Sequence, residues 1–519
     1  MTAQPCHATF VEKELDRRRR SWFRRLARLV GLAISAAFLF AFFAVAKFGG
    51  AVMFSRTPVF EDERQHFLHA SIGSEHSSGV PYVLWQALPV LFPEDFAHRK
   101  DYAAFGFLYE EDEHGRIDLP VGISRRPVLG MELVWFNCAA CHAGTYRMSD
   151  RDAPVLVAGM PANNFNLHKF IAFLLDAGIS AQLASGKVFD AAAATGNRLG
   201  PLDKLIWRFF VLPRVREGLV ATREALRPLL DRQPDWGMGR VDTFNPYKTQ
   251  QMNMGPNGLS DEEVIGASDF PSIFLQQPRE GMKLHWDGNN DSLAERNLSA
   301  SLGAGVTPET VDHHNLQRVA RWLGGLTPPP SPHTPPADAV ERGRRDYMAL
   351  CADCHGYQGD DGYVFEGRYL GEVEDIADIR TDVRRLNSYT IEFNERQLSE
   401  LFAGTPYRFR QFEKTNGYAN MPLDGLWLRG PYLHNGSVPT LADLLLEPRL
   451  RPSAFLRGSD VVDGERGGFI SPGCPSGTPV HDGFCYDTTL PGNGNGGHEY
   501  GTGLSAAARA DLLAYLLTF

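Results

Sequence analysis

At 519 residues the chain is long enough for two or three domains, and its 43% hydrophobic and 22% charged residues are those of a folded globular protein. The formal net charge of −10 argues against nucleic acid as a partner, because phosphate binding needs clustered Lys and Arg.

The N-terminus is the most biased stretch. Arg17 to Arg20, Arg24, Arg25 and Arg28 form a basic block, and an apolar run from Leu29 to Ala46 follows, extended by Gly49 to Phe54. Such a run is long enough to span a bilayer as one helix, and positive charge before it predicts a cytoplasmic N-terminus with everything else on the far side. This reading gives a single-pass anchor in the inner membrane over residues 1–56, with the rest in the periplasm or outside the cell. A cleaved signal peptide is the alternative, since Ala44-Val45-Ala46 fits an A-x-A cleavage site. Cys6 precedes the span and is expected to stay reduced. Cys474 and Cys485, in a Gly/Pro-rich stretch, are expected to form a disulfide in an oxidising compartment.

After the span, helical patterns run from Leu167 to Ala184 and from Leu205 to Leu230, and residues 253–305 read as loop-dominated. Pro328, Pro329, Pro330, Pro332, Pro335 and Pro336 forbid helix and sheet alike, so 328–337 reads as a stiff linker. It divides an N-terminal domain, 57–327, from a C-terminal one, 338–519. A helix from Ala337 to Leu350 is predicted to run straight into Cys351. A last helix, Ser505 to Phe519, has Ser505 as N-cap. Strand signals are weak, so the fold class is mostly α with long loops, and no internal repeat is visible beyond the motifs described next.

Each domain carries one C-x-x-C-H. Cys138, Cys141 and His142 form the first, Cys351, Cys354 and His355 the second. Two Cys at this spacing reach one porphyrin edge through thioether bonds, and the adjacent His binds iron from below. A thioredoxin-like pair would not require that His, and a zinc site would need four reduced thiolates. The motifs therefore predict two covalently bound haem c groups. Candidate sixth ligands are Met160 and His168 for the first, and Met421, His434 and His498 for the second.

Two further stretches carry a resemblance. Arg429-Gly430-Pro431-Tyr432-Leu433-His434-Asn435-Gly436-Ser437-Val438-Pro439-Thr440-Leu441 is similar to a segment of the bacterial di-haem cytochrome c peroxidase superfamily. Leu284-His285-Trp286-Asp287-Gly288-Asn289-Asn290, with Glu295-Arg296-Asn297-Leu298 and the ending Gly492 to Gly501, looks most like the rubber oxygenase A branch. The resemblance, from about Phe60 onward, implies two cytochrome-c-like haem domains in which one haem is the reaction centre and the other relays electrons. It implies that Trp286 lies between the haems as an electron bridge. It also favours His498 as partner of His355, because the region where the peroxidases take a Met ligand, Leu444 to Pro448, holds none. Where the peroxidases carry a distal His, Pro154 to Asn164, this chain has none, which suggests an open iron at His142. Calcium is known in relatives, and Asn289, Asn290 and Asp291 offer oxygen ligands.

The expected function is thus an exported di-haem oxidoreductase. One haem activates peroxide or dioxygen, the other relays electrons to or from a partner protein. The alternative is an electron carrier with two six-coordinate haems and no substrate. For acid–base work near Trp286 the sequence offers Glu280, Asp287 and Glu295 without selecting one.

Overall fold

A computed structural model describes residues 6–96, 99, 101–112, 115–475 and 483–519. Helices make up 45% of it. The first, α1 (Cys6–Phe54), is long and apolar enough to cross a membrane. Within its segment Glu12–Phe43 an 18-residue window has a mean hydropathy of 2.1, and none of that window is fully buried. A signal sequence and an anchor share these properties. The expectation for the Cys6 thiol falls outside the described residues.

The first C-x-x-C-H is delivered by strands, which the sequence signals did not reveal. Strands β1 (Ile123–Val128) and β2 (Met131–Phe136) form a hairpin closed by Leu129-Gly130, both at positive φ, as a tight two-residue turn requires. β2 ends two residues before Cys138. Asn137 then fixes the entry: its amide donates to the Ala70 carbonyl at 3.0 Å, and its Oδ1 accepts from Ala139 N at 3.0 Å, where the short helix α2 (Ala139–His142) begins. Helices α3 (Leu167–Ile179) and α4 (Leu212–Leu230) form where helical patterning predicted them and pack on each other behind the hairpin. Within the stretch expected to be loop-dominated lies a helix, α5 (Leu293–Gly303), capped by Ser292.

The second motif is entered as predicted. Helix α6 (Ala337–Leu350) leads into Cys351 and α7 (Ala352–His355), and α8 (Ala506–Leu516), capped by Ser505, returns across α6. The crossing is very close. A Cβ on Gly343 would lie 1.9 Å from the Asp511 carbonyl oxygen, so only glycine permits it. Tyr347, Leu512, Tyr515 and Leu516 fill the core this crossing creates.

Residues on both sides of the Pro-rich stretch share cores. Tyr247 and Leu298 pack with Tyr389 and Phe393, and Met160 and Phe274 pack with Trp427 and Phe469. The Pro-rich stretch has neither helix nor strand and is tied down, with Trp427 Nε1 donating to the Pro329 carbonyl at 3.1 Å and Ser331 Oγ to that of Leu517 at 2.5 Å.

The structure also reveals a repeat beyond the two motifs. Residues 284–294 and 432–442 form the same loop. Each has an isolated antiparallel bridge at matching positions, Leu284 to Asn290 and Tyr432 to Val438. Each has positive φ at the second residue (His285 62°, Leu433 69°) and at the shared glycine (Gly288 63°, Gly436 64°). Each ends in a hydroxyl N-cap, Ser292 or Thr440, followed by Leu-Ala opening a helix. Trp286 and His434 occupy equivalent positions.

Replacing Gly343 by Ala is expected to force α6 and α8 apart at a cost of about 1–3 kcal/mol. Urea denaturation checks this, and an unchanged midpoint would contradict the crossing.

Candidate haem-binding site

Both motif histidines are held in the same way. His142 Nδ1 lies 2.9 Å from the Pro271 carbonyl oxygen, and His355 Nδ1 lies 2.8 Å from that of Met421. A carbonyl only accepts, so in each ring Nδ1 carries the proton and Nε2 is left with its lone pair, the arrangement metal-ligating histidines adopt. Burial holds both imidazoles below the ordinary histidine value, His142 at about 4, which keeps them neutral and able to donate to a metal. Cys138, Cys141, Cys351 and Cys354 are all free thiols, and none pairs within its C-x-x-C. Burial raises the pKa of each of the four, so they are not metal-binding thiolates in waiting. Two unpaired, partly buried thiols beside a His with a free Nε2 fit covalent haem c at each motif. Among the described residues no group of three or more His, Cys, Asp and Glu side chains is gathered to hold a bare metal ion instead.

The two surroundings then diverge. The His498 ring faces that of His355 with centroids 6.1 Å apart. This is the spacing of two imidazoles on opposite sides of one metal ion, each with a nitrogen at about 2 Å. His498 Nδ1 is buried without a hydrogen-bond partner, and burial followed by the facing His355 depresses its pKa to about 3. Its loop is clamped by buried Arg451, whose guanidinium donates to the carbonyls of Asn495 (2.6 Å), Gly497 (2.8 Å) and His498 (3.2 Å).

The other candidate ligands are placed elsewhere. The Met421 carbonyl sits on the Nδ1 side of His355, so this residue positions that ring from behind. His434 stacks on Tyr418 at 4.0 Å. Met160 is fully buried in the core with Phe274 and Trp427. His168 accepts from Trp236 N at 3.2 Å and lies edge-on to the Trp236 ring. Among the described residues no ring faces His142 as His498 faces His355.

Trp286 lies on a bonded path between the motifs. Its Nε1 donates to the Asp269 carbonyl at 2.8 Å, two residues before Pro271, which holds His142. Its own carbonyl accepts from Ala419 N at 2.9 Å, two residues before Met421, which holds His355.

Of the three carboxylates suggested near Trp286, two are paired and one is exposed. Asp287 is paired with Arg385 at 3.1 Å, Glu295 accepts from the Arg410 and Gln411 amides at 2.9 and 3.0 Å, and Glu280 is exposed. The oxygens suggested for calcium are also engaged: Asn289 Oδ1 with His285 Nδ1 (2.6 Å), Asn290 Oδ1 with Ser292 N (2.9 Å), and Asp291 with Lys283 (3.2 Å). The Cys474–Cys485 disulfide is formed as expected.

This is the donor set of a c-type cytochrome. Residues 417–456, which carry Met421 and the His434 loop, match a protein family described as RoxA-like, cytochrome c-like. The chain therefore contains a RoxA-like cytochrome c-like domain, and such a domain implies covalent haem c. Two uncharacterized proteins of Sinorhizobium fredii (strain NBRC 101917 / NGR234) are similar to it. The protein y4iM is 29% identical over 250 residues, 45% of this chain and 57% of the relative. The protein y4iJ is 38% identical over 110 residues, 20% of this chain and 17% of the relative. The matches thus span little more than half of the first relative and under a fifth of the second.

Replacing Arg451 by Leu removes the clamp on 495–498. Hydrogen exchange at those amides is expected to accelerate about tenfold for each 1.4 kcal/mol lost. Unchanged exchange would show that the loop is held by other contacts.

Proposed function

We propose that this chain is a di-haem c-type oxidoreductase whose two attachment sites have different tasks. The site at Cys138, Cys141 and His142 keeps an open face for a small oxidant, peroxide or dioxygen. The site at Cys351, Cys354 and His355, closed by His498, relays electrons. The observation that carries this reading is the asymmetry between the histidines: His355 has an imidazole opposite it at 6.1 Å, and His142 has no such partner among the described residues. Bound at such sites, haem c supplies one-electron transfer and, where a coordination position is open, activation of dioxygen or peroxide.

The residues of the chain supply the rest. The Pro271 and Met421 carbonyls orient the two ligating rings and raise their basicity. Trp286 connects the two carbonyl-bearing segments through hydrogen bonds at its indole and its backbone, which suits a bridge for electrons. The N-terminal apolar helix supports export, with retention as an inner-membrane anchor, and electrons would be exchanged with a partner redox protein on the same side. A chain anchored in this way is poorly placed to meet an insoluble polymer, which disfavours rubber itself as the substrate.

Rapid mixing of the full-length holo-protein with hydrogen peroxide tests the reading. Wild type is expected to respond in the absorption bands of both sites. Trp286→Phe should slow the response of the His355 site by about tenfold, an added barrier of about 1.4 kcal/mol. A wild-type spectrum unchanged by peroxide would favour the electron carrier with two six-coordinate haems.

A further inference from the structure

The open-face reading leaves a chemical gap, because Asp287 and Glu295 are already paired and Glu280 is exposed to solvent. Two basic side chains outside that reading are free. His285 precedes Trp286 in the repeated loop, at the positive-φ position that Leu433 fills in the second copy. Its Nδ1 is fixed by Asn289 Oδ1 at 2.6 Å, so Nε2 carries the lone pair, and Nε2 makes no hydrogen bond among the described residues. Its ring stacks on Phe412 at 6.2 Å. Phe412 belongs to the aromatic cluster against which Cys138 packs.

Arg296 lies one turn into α5, which sends Leu298 and Leu302 into that same cluster. Its guanidinium makes no hydrogen bond or ion pair among the described residues, and its Nε is fully enclosed without a partner. Arg296 is half-buried, and enclosing part of a cation with no counter-charge beside it is costly, which favours an anion there. Its charge also bears on His285.

We infer that His285 and Arg296 form the pair that receives the oxidant at the His142 site. This rests on the open-face reading above. Hydrogen peroxide gives up one proton: the O–H bond breaks, an N–H bond forms at His285 Nε2, and the products are an imidazolium and the hydroperoxide anion. No electrons move in this step and total charge is conserved. Arg296 opposes the new negative charge. The pair converts a weak neutral acid into the anion that an electrophilic centre binds.

Hydrogen cyanide is a suitable probe, since it too must lose a proton before it binds as an anion. Ferric full-length holo-protein is mixed with cyanide, and with peroxide, in a stopped-flow instrument. Wild type is expected to bind cyanide, and His285→Leu to slow association of both reagents about 100-fold, the lower range for a general base. Arg296→Leu should weaken cyanide affinity about tenfold, with partial recovery in Arg296→Lys. An unchanged low-spin EPR signal from the His355 site reports an intact fold. If His285→Leu loses that signal, His285→Gln carries the same expectation.

Wild-type binding with association equally fast in the His285 variants would overturn the pair and leave the open face standing. Wild type that binds no cyanide would overturn both. A second low-spin signal in wild type, besides that of the His355 site, that turns high-spin in His285→Leu would make His285 an iron ligand, and that too would overturn both. Loss of Arg296 that moves only a reduction potential would assign it to a haem propionate instead and remove it from the pair.

Discussion

The geometry between the two motifs depends on one buried carboxylate, Asp269. Arg457 grips it through two nitrogens, at 2.9 and 3.1 Å, and Arg240 stands 3.9 Å away. Its backbone is used on both sides. Asp269 N donates to the His434 carbonyl at 2.9 Å, and its carbonyl accepts from Trp286 Nε1. The Arg457 pair closes over Gly436, where a Cβ would lie 2.3 Å from the carboxylate oxygens and the guanidinium. Removing one partner of such a pair typically costs about 3–5 kcal/mol. Here it would also release Pro271, two residues on, and with it the orientation of His142.

That anchorage explains how one loop serves two purposes. The copies at 284–294 and 432–442 share a backbone, a glycine and a hydroxyl cap, and both touch Asp269. Their side chains differ at the positions that face the interior. The first copy places His285 and Trp286 where the second places Leu433 and His434. The second copy's imidazole is stacked on Tyr418, whereas the first copy's keeps a free nitrogen. Divergence within a common frame thus leaves, among the described residues, an unengaged imidazole nitrogen at His285 in the first copy and none at the matching Leu433 in the second. The ring opposite His355 comes from a separate loop, held by Arg451.

Features set by local chemistry were legible in the sequence. The C-x-x-C-H spacing, the helix running into Cys351, the Ser505 cap, the apolar N-terminal helix and the Cys474–Cys485 bond each follow from neighbouring residues. The hairpin that delivers Cys138 was not legible, because both its strands are only half-buried and neither alternates cleanly between faces. The loop repeat was hidden because backbone conformation is preserved while few side chains are, chiefly Gly288/Gly436 and Leu293-Ala294/Leu441-Ala442. Met160 and His168 read as candidate ligands because burial cannot be told from ligation in one dimension. His285 and Arg296 lie inside the segments that carry the family resemblance, yet nothing in one dimension marks them out, since their distinction is the absence of a partner in space.

The central claim is that the two attachment sites differ in coordination, one closed by an imidazole and one open. Low-temperature EPR of the ferric full-length protein carrying both haems tests it most directly. The account predicts one low-spin signal and one high-spin signal of equal integrated intensity. Two low-spin signals, or two high-spin signals, would contradict it.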